Sequence, residues 1–158
     1  MTKPVIRRVL VLLACAACLT PLLAADAKKP ELPVVELKGQ VVPLAGLVAK
    51  TGSKVDADAD PLSLVLVADD GKVYTLVKDG GARLFFKDKA LLNRSMKLTG
   101  RLLPNSQILV VASVNSIVKG KLCEVYYWCD ICSIKRGEKM TCECCGGPMV
   151  LHEESIKK

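Results

Sequence analysis

The sequence predicts an all-β chain with one short helix, ending in a small cysteine-rich ribbon. Three observations carry that expectation. Apolar residues between Val34 and Val118 fall in short runs with the two-residue period of strands. Asp69-Asp70-Gly71 and Pro104-Asn105-Ser106 sit between such runs, and both are strong turn formers. Farther on, Cys129, Cys132, Cys142 and Cys145 make two C-x-x-C pairs flanking residues 133–141. Two thiolates at that spacing reach one ion from a single tight turn, and two such turns supply a tetrahedral site.

At the N-terminus, Lys3, Arg7 and Arg8 precede an almost wholly apolar stretch from Val9 to Leu23, and Ala25-Asp26-Ala27 offers an A-x-A cleavage site. Residues 1–27 therefore read as a secretory signal peptide, which sends the mature chain to the periplasm or the exterior. The apolar stretch is about 15 residues, short of the about 20 that a spanning helix needs, so no stable membrane span is expected after cleavage. Cys15 and Cys18 leave with the signal. Its removal takes away three cations and one acid and lowers the net charge from +7 to +5. The remaining Lys and Arg are dispersed, which argues against a polyanion-binding surface.

Val34 to Val42 alternates, with Val35, Leu37 and Val41 on one face and Glu36, Lys38 and Gln40 on the other. Leu62 to Ala68 is a nearly continuous β-prone run, as in a strand covered on both faces. The Asp-Gly turn leads into a third strand over Lys72 to Lys78. A short helix is expected around Lys87 to Asn93. Ser95 to Leu103 alternates again, with Met96, Leu98 and Leu102 inward, and Gln107 to Val118 is the last and longest strand of this region. Gly39 and Gly100 mark where the first and fourth strands bend or bulge. Three strands, a short helix and two more strands is the order of an OB-fold-like small Greek-key barrel, assigned to residues 28–120.

The connection from Pro43 to Pro61 carries Asp56, Asp58 and Asp60. An EF-hand loop would need Gly at 61 and Glu at 67, where the chain has Pro61 and Val67, and the segment is read as a solvated loop. Barrels that bind nucleic acid display aromatics beside cations. The barrel region has only Tyr74, Phe85 and Phe86, so nucleic acid is not an expected partner.

Residues 121–158 make the ribbon. Lys119-Gly120-Lys121 is expected to hinge it to the barrel, Leu122 to Trp128 to enter as a short strand, and Met149 to Leu151 to close it. The expected metal ligands are Cys129, Cys132, Cys142 and Cys145, with Cys144 and Cys123 as alternates. Zn²⁺ is the expected ion and iron the alternative, since four thiolates suit both. In an exported chain, Cys123 and Cys144 are also open to forming a disulfide. His152, the sole histidine, is read as a surface residue. Covalent haem is excluded because Ser133 and Gly146, not His, follow the two pairs.

Asp70-Gly71-Lys72-Val73-Tyr74, Leu98-Thr99-Gly100-Arg101, Tyr127-Trp128-Cys129-Asp130-Ile131-Cys132 and Cys144-Cys145-Gly146-Gly147-Pro148 carry a resemblance. Across its mature length the chain resembles uncharacterised secreted bacterial proteins of the planctomycete type. That resemblance implies the barrel, the ribbon and export, and no activity. The ribbon alone is similar to the rubredoxin-type module of rubrerythrins, in which an aromatic precedes C-x-x-C and C-x-x-C-Gly-x-Pro closes the site. It implies Fe(Cys)4. The chain departs from that module in having Ser133 in place of Gly after the first pair, and Glu143 in place of Pro after the first cysteine of the second. It also lacks the helical carboxylate bundle that accompanies the module.

Three functions follow from these residues. One is an exported, non-catalytic binding module with a structural Zn(Cys)4 ribbon, whose partner is another exported protein or a small ligand. The second is an electron carrier on Fe(Cys)4. The third is thiol–disulfide exchange or metal handling by the C-x-x-C pairs. No Ser/His/Asp set exists without His152, and no carboxylate pair stands out as an acid–base couple, which disfavours an enzyme.

Overall fold

Strands β1 (Val34–Pro43), β2 (Leu64–Ala68), β3 (Val73–Leu76), β4 (Ser95–Leu102) and β5 (Ile108–Val118) form where the apolar alternation predicts them. They are seen in a computed structural model that describes residues 31–56, 58–59 and 63–156. The proposed signal segment, and Asp60 and Pro61 of the aspartate loop, lie outside the described residues. β1 is antiparallel to both β4 and β2, β2 is antiparallel to β3, and β4 to β5. β3 and β5 run parallel, with Thr75 opposite Ile108 and Leu76 opposite Leu109. The pairings therefore close a circuit, β1-β2-β3-β5-β4, around an interior of Val41, Leu64, Leu66, Leu76, Met96, Leu98, Leu109 and Val111, all buried.

β1 serves two neighbours in turn. Its first part pairs with β4 and its last part with β2, and Gly39 stands at the changeover, opposite Met96 on one side and Ala68 on the other. A Cβ at Gly39 would overlap the carbonyl oxygen of Val67, so only glycine lets β2 approach this closely. Gly100 lies where the β4–β5 register shifts, the bulge expected there.

Two helices differ from expectation. α1 (Leu44–Ala49) opens the long connection behind Pro43, a residue suited to a helix start. The expected helix at Lys87–Asn93 is two pieces, α2 (Arg83–Lys87) and a 3₁₀ turn (Lys89–Leu91), parted by Asp88 in extended conformation. α2 begins early because Asp79 Oδ1 accepts the N–H groups of Gly81 and Ala82 and its carbonyl accepts that of Arg83. Asp88 in turn caps the 3₁₀ turn by accepting the N–H of Ala90.

The expected hinge at Lys119-Gly120-Lys121 is a tight hairpin instead. Lys119 and Gly120 both have positive φ, 50° and 76°, and Val118 pairs with Lys121. Two left-handed central residues match the right-handed twist of the flanking strands, so the chain turns straight back into the sheet. β6 (Lys121–Cys129) thus extends β5, and it is flanked by β7 (Ile134–Arg136) and β8 (Val150–Ser155). Strand periodicity puts Cys123, Tyr127 and Cys129 on its inner face, all buried, and Glu124 on its outer face. Tyr127, Cys129, Cys142 and Met149 belong to one hydrophobic cluster with Val41, Leu66, Phe85 and Leu98, so barrel and ribbon share a core. Among the described residues, no helix is long and apolar enough to cross a membrane.

Candidate metal centre

Two turns of the same backbone design carry the four cysteines. In the first, the N–H of Ser133 donates to the carbonyl of Cys129 at 2.8 Å; in the second, the N–H of Gly146 donates to the carbonyl of Cys142 at 2.8 Å. The closing residue is left-handed in both, with φ of 54° at Ser133 and 70° at Gly146. Ser133 thus adopts, as a serine, the conformation for which glycine is the usual choice. The second turn is mounted on a short ladder: Cys142 N–H donates to the Gly147 carbonyl at 2.8 Å, and Thr141 bridges Pro148. The first is mounted on the end of β6.

The first cysteine of each turn, Cys129 or Cys142, is buried, while Cys132 is half-buried and Cys145 exposed. The Sγ atoms of Cys129, Cys132, Cys142 and Cys145 all lie within 4.8 Å of one another, and those of Cys129 and Cys145 are 3.6 Å apart. A tetrahedral Zn(Cys)4 centre with bonds of about 2.3 Å has sulfurs about 3.8 Å apart. The donor set therefore fits a metal with little movement: four cysteines are positioned to hold one ion, and no fifth position is needed.

Backbone dipoles prepare the sulfurs for charge. The N–H groups of Cys145 and Cys144 point at Cys142 and hold its thiol down at about 7. The N–H groups of Cys132 and Ile131 favour the Cys129 thiolate in the same way, but burial and the Cys142 and Cys145 thiols outweigh them and push Cys129 up. Cys132 is pushed up further, first by the Cys144 thiol and then by that of Cys145. Thiols crowded this closely resist ionising together, and a bound dication offsets that repulsion.

A polar clasp beneath the centre ties it to the barrel. Tyr127, fully buried on β6, donates its hydroxyl to Asp88 Oδ2 at 2.9 Å, and Lys139 Nζ lies 3.4 Å from Asp88 Oδ1. Next to Lys139, Glu138 receives Arg83 at 3.4 Å and Lys87 at 3.0 Å, both from α2. The segment between the two cysteine turns is thus pinned at Glu138 and Lys139. Sequence reasoning missed this clasp, although the parity of β6 alone turns Tyr127 inward between its outward neighbours.

The alternates fall in different places. Cys123 is buried on β6, six positions before Cys129 and so about 20 Å along the strand, with its thiol against the Lys121 carbonyl. It reaches neither the cluster nor Cys144. Cys144 is exposed within the second turn, and it is not one of the four cysteines whose sulfurs converge. His152 is opposite Tyr126 on β8 and stacks on its ring, with centroids 5.5 Å apart and planes 15° from parallel. That is the outer face of the ribbon, away from the sulfurs. No family model, no curated protein and no solved structure matches the chain, so the assignment of the centre rests on its own geometry.

Proposed function

We propose that the chain is an exported, non-catalytic interaction module in which one Zn²⁺ on Cys129, Cys132, Cys142 and Cys145 fastens the ribbon to the barrel. The observation that carries this reading is the convergence of four sulfurs, from two turns of one design, beside a core that ribbon and barrel share. Four protein ligands with no open position suit a structural ion, not a catalytic one. The segments they join are too short to fold on their own, so the ion supplies much of their ordering free energy. Export rests on the sequence of residues 1–27, and the barrel surface is offered to another exported protein or a small ligand.

The test is the metal content of the mature chain, purified from the export compartment, with a free-thiol count on the same sample. Zinc at one ion per chain, with reduced cysteines, is the expected result. Iron at that ratio would replace this reading with electron transfer. Absence of metal together with oxidised cysteines would end it.

A further inference from the structure

β8 pairs with β6 and, among the described residues, with no other strand. Just past its end, the Ile156 N–H donates to the Leu122 carbonyl at 3.0 Å. Bonded pairs alternate along an antiparallel ladder, so Glu154, His152 and Val150 also bond inward to β6. Leu151, Glu153 and Ser155 therefore turn their N–H and C=O groups to the outer edge, where no backbone group among the described residues meets them.

Exposed edges are ordinarily blunted by brevity, proline, lysine or an inward charge. β7, at the other end of the sheet, has three residues, two of them cations. β8 has six residues and neither lysine nor proline. Its inward charge, Glu153, is neutralised by Arg94, whose Nη2 reaches the two carboxylate oxygens at 2.6 and 2.8 Å. On the outer face Glu154 stands directly opposite Glu124. Glu124 has Lys135 at 2.7 Å, whereas Glu154 has the Tyr126 hydroxyl at 3.3 Å and no cation among the described residues. Like charges opposed across strands are unfavourable, and a cation beside Glu154 relieves them. Val150, on the same face, is 49% exposed.

The geometry points to the outer edge of β8 as a docking site for an extended segment of a partner protein. That segment adds an antiparallel strand, with a cation opposite Glu154 and an apolar residue opposite Val150. Main-chain bonds to Leu151, Glu153 and Ser155 supply the attachment, and the two outer side chains supply selectivity. A second copy of β8 does not fit. Centred on Glu153 or on Glu154, the two copies would set like acids against each other. Centred on His152, they would set Val150 against Glu154 and Leu151 against Glu153. The docking edge gives the interaction module proposed above its partner's chemistry; it rests on that reading and on a folded ribbon, whichever metal the ribbon holds.

The probe is the blocked heptapeptide Thr-Lys-Thr-Tyr-Thr-Val-Thr at millimolar concentration, added to the chain as purified and read by residue-resolved amide hydrogen exchange. The amides of Leu151, Glu153 and Ser155 are expected to slow, while those of His152, Glu154 and Ile156 are protected with or without it. The same peptide with glutamate in place of lysine is expected to bind about threefold more weakly. Glu154→Lys, at an exposed position, is expected to keep the fold and reverse that preference. Edge amides that the peptide leaves unchanged would overturn the docking site, and equal binding of both peptides would overturn the choice of a cationic partner. Slowing that grows with chain concentration and needs no peptide would put a second copy on the edge and overturn the partner. Unprotected amides at His152, Glu154 and Ile156 before any peptide is added would overturn the ladder itself, and with it the reading on which the edge rests.

Discussion

The hydroxyl of Tyr127 donates to Oδ2 of Asp88 across 2.9 Å, joining the entry strand of the ribbon to the break between α2 and the 3₁₀ turn. Both residues are buried, and the same carboxylate takes the N–H of Ala90 at 3.1 Å. Tyr127→Phe would remove one donor from a buried charge and leave the rest of the packing in place. The expected loss is about 1.5–3 kcal/mol, read from urea unfolding. A loss within error of zero would show that the bond does not hold the two parts together.

The same pair sets a pH window. Burial alone would raise Asp88; the Ala90 N–H, the Tyr127 hydroxyl and Lys139 together outweigh it and hold the carboxyl below its usual value of 3.8. A carboxyl depressed in the folded state stabilises it above the unfolded value, and that stability is lost as pH falls through the folded value. Tyr127 behaves oppositely. Burial, and then the Asp88 carboxylate, push it well above its usual 10.0, so its contribution is full below that value and lost at higher pH. Stability should therefore fall from about pH 4 downward, and Asp88→Asn should flatten that acid limb. An acid limb of unchanged slope in the variant would refute the assignment.

Metal removal should act locally first. Chelation, or Cys129→Ser, is expected to speed amide hydrogen exchange across residues 129–149 while β1 to β4 stay protected. A ribbon that remains ordered without metal would rule out a structural ion.

Two glycines separate close approach from mere flexibility. Gly39→Ala drives a methyl into the Val67 carbonyl, and a cost of about 3 kcal/mol or more is expected. Gly46→Ala, in α1, meets nothing within 4 Å and should gain about 0.5–1 kcal/mol from helix propensity and a stiffer unfolded chain. Midpoints of urea unfolding for the two variants should move in opposite directions.

The long strands were legible because each buries one face, so that a two-residue period is written directly into Val35, Leu37 and Val41 or Met96 and Leu98. The four cysteines were legible because a turn that brings two sulfurs to one ion permits few spacings. α1 and α2 were not, since at this length a helix shows no period, and the start of α2 depends on Asp79 finding backbone partners. The Lys119–Gly120 hairpin was hidden by a lysine in a backbone region that residue type does not announce. Asp88 and Tyr127 stand 39 positions apart, and nothing local to either names the other. Only strand parity along β6, which turns Tyr127 inward, hinted that the ribbon had a buried side to share.

That shared side has a consequence for the order of folding. Tyr127, Cys129, Cys142 and Met149 complete a core whose other members lie between Val41 and Val111. A ribosome delivers these four only after every other buried member of that core has emerged. Until then the barrel has its strands but not its seal, and the apolar surface those four residues cover stays open to water. Loss of the C-terminal segment would therefore damage the barrel as well as the metal centre. Barrel and ribbon, which share that core, therefore form one packing unit.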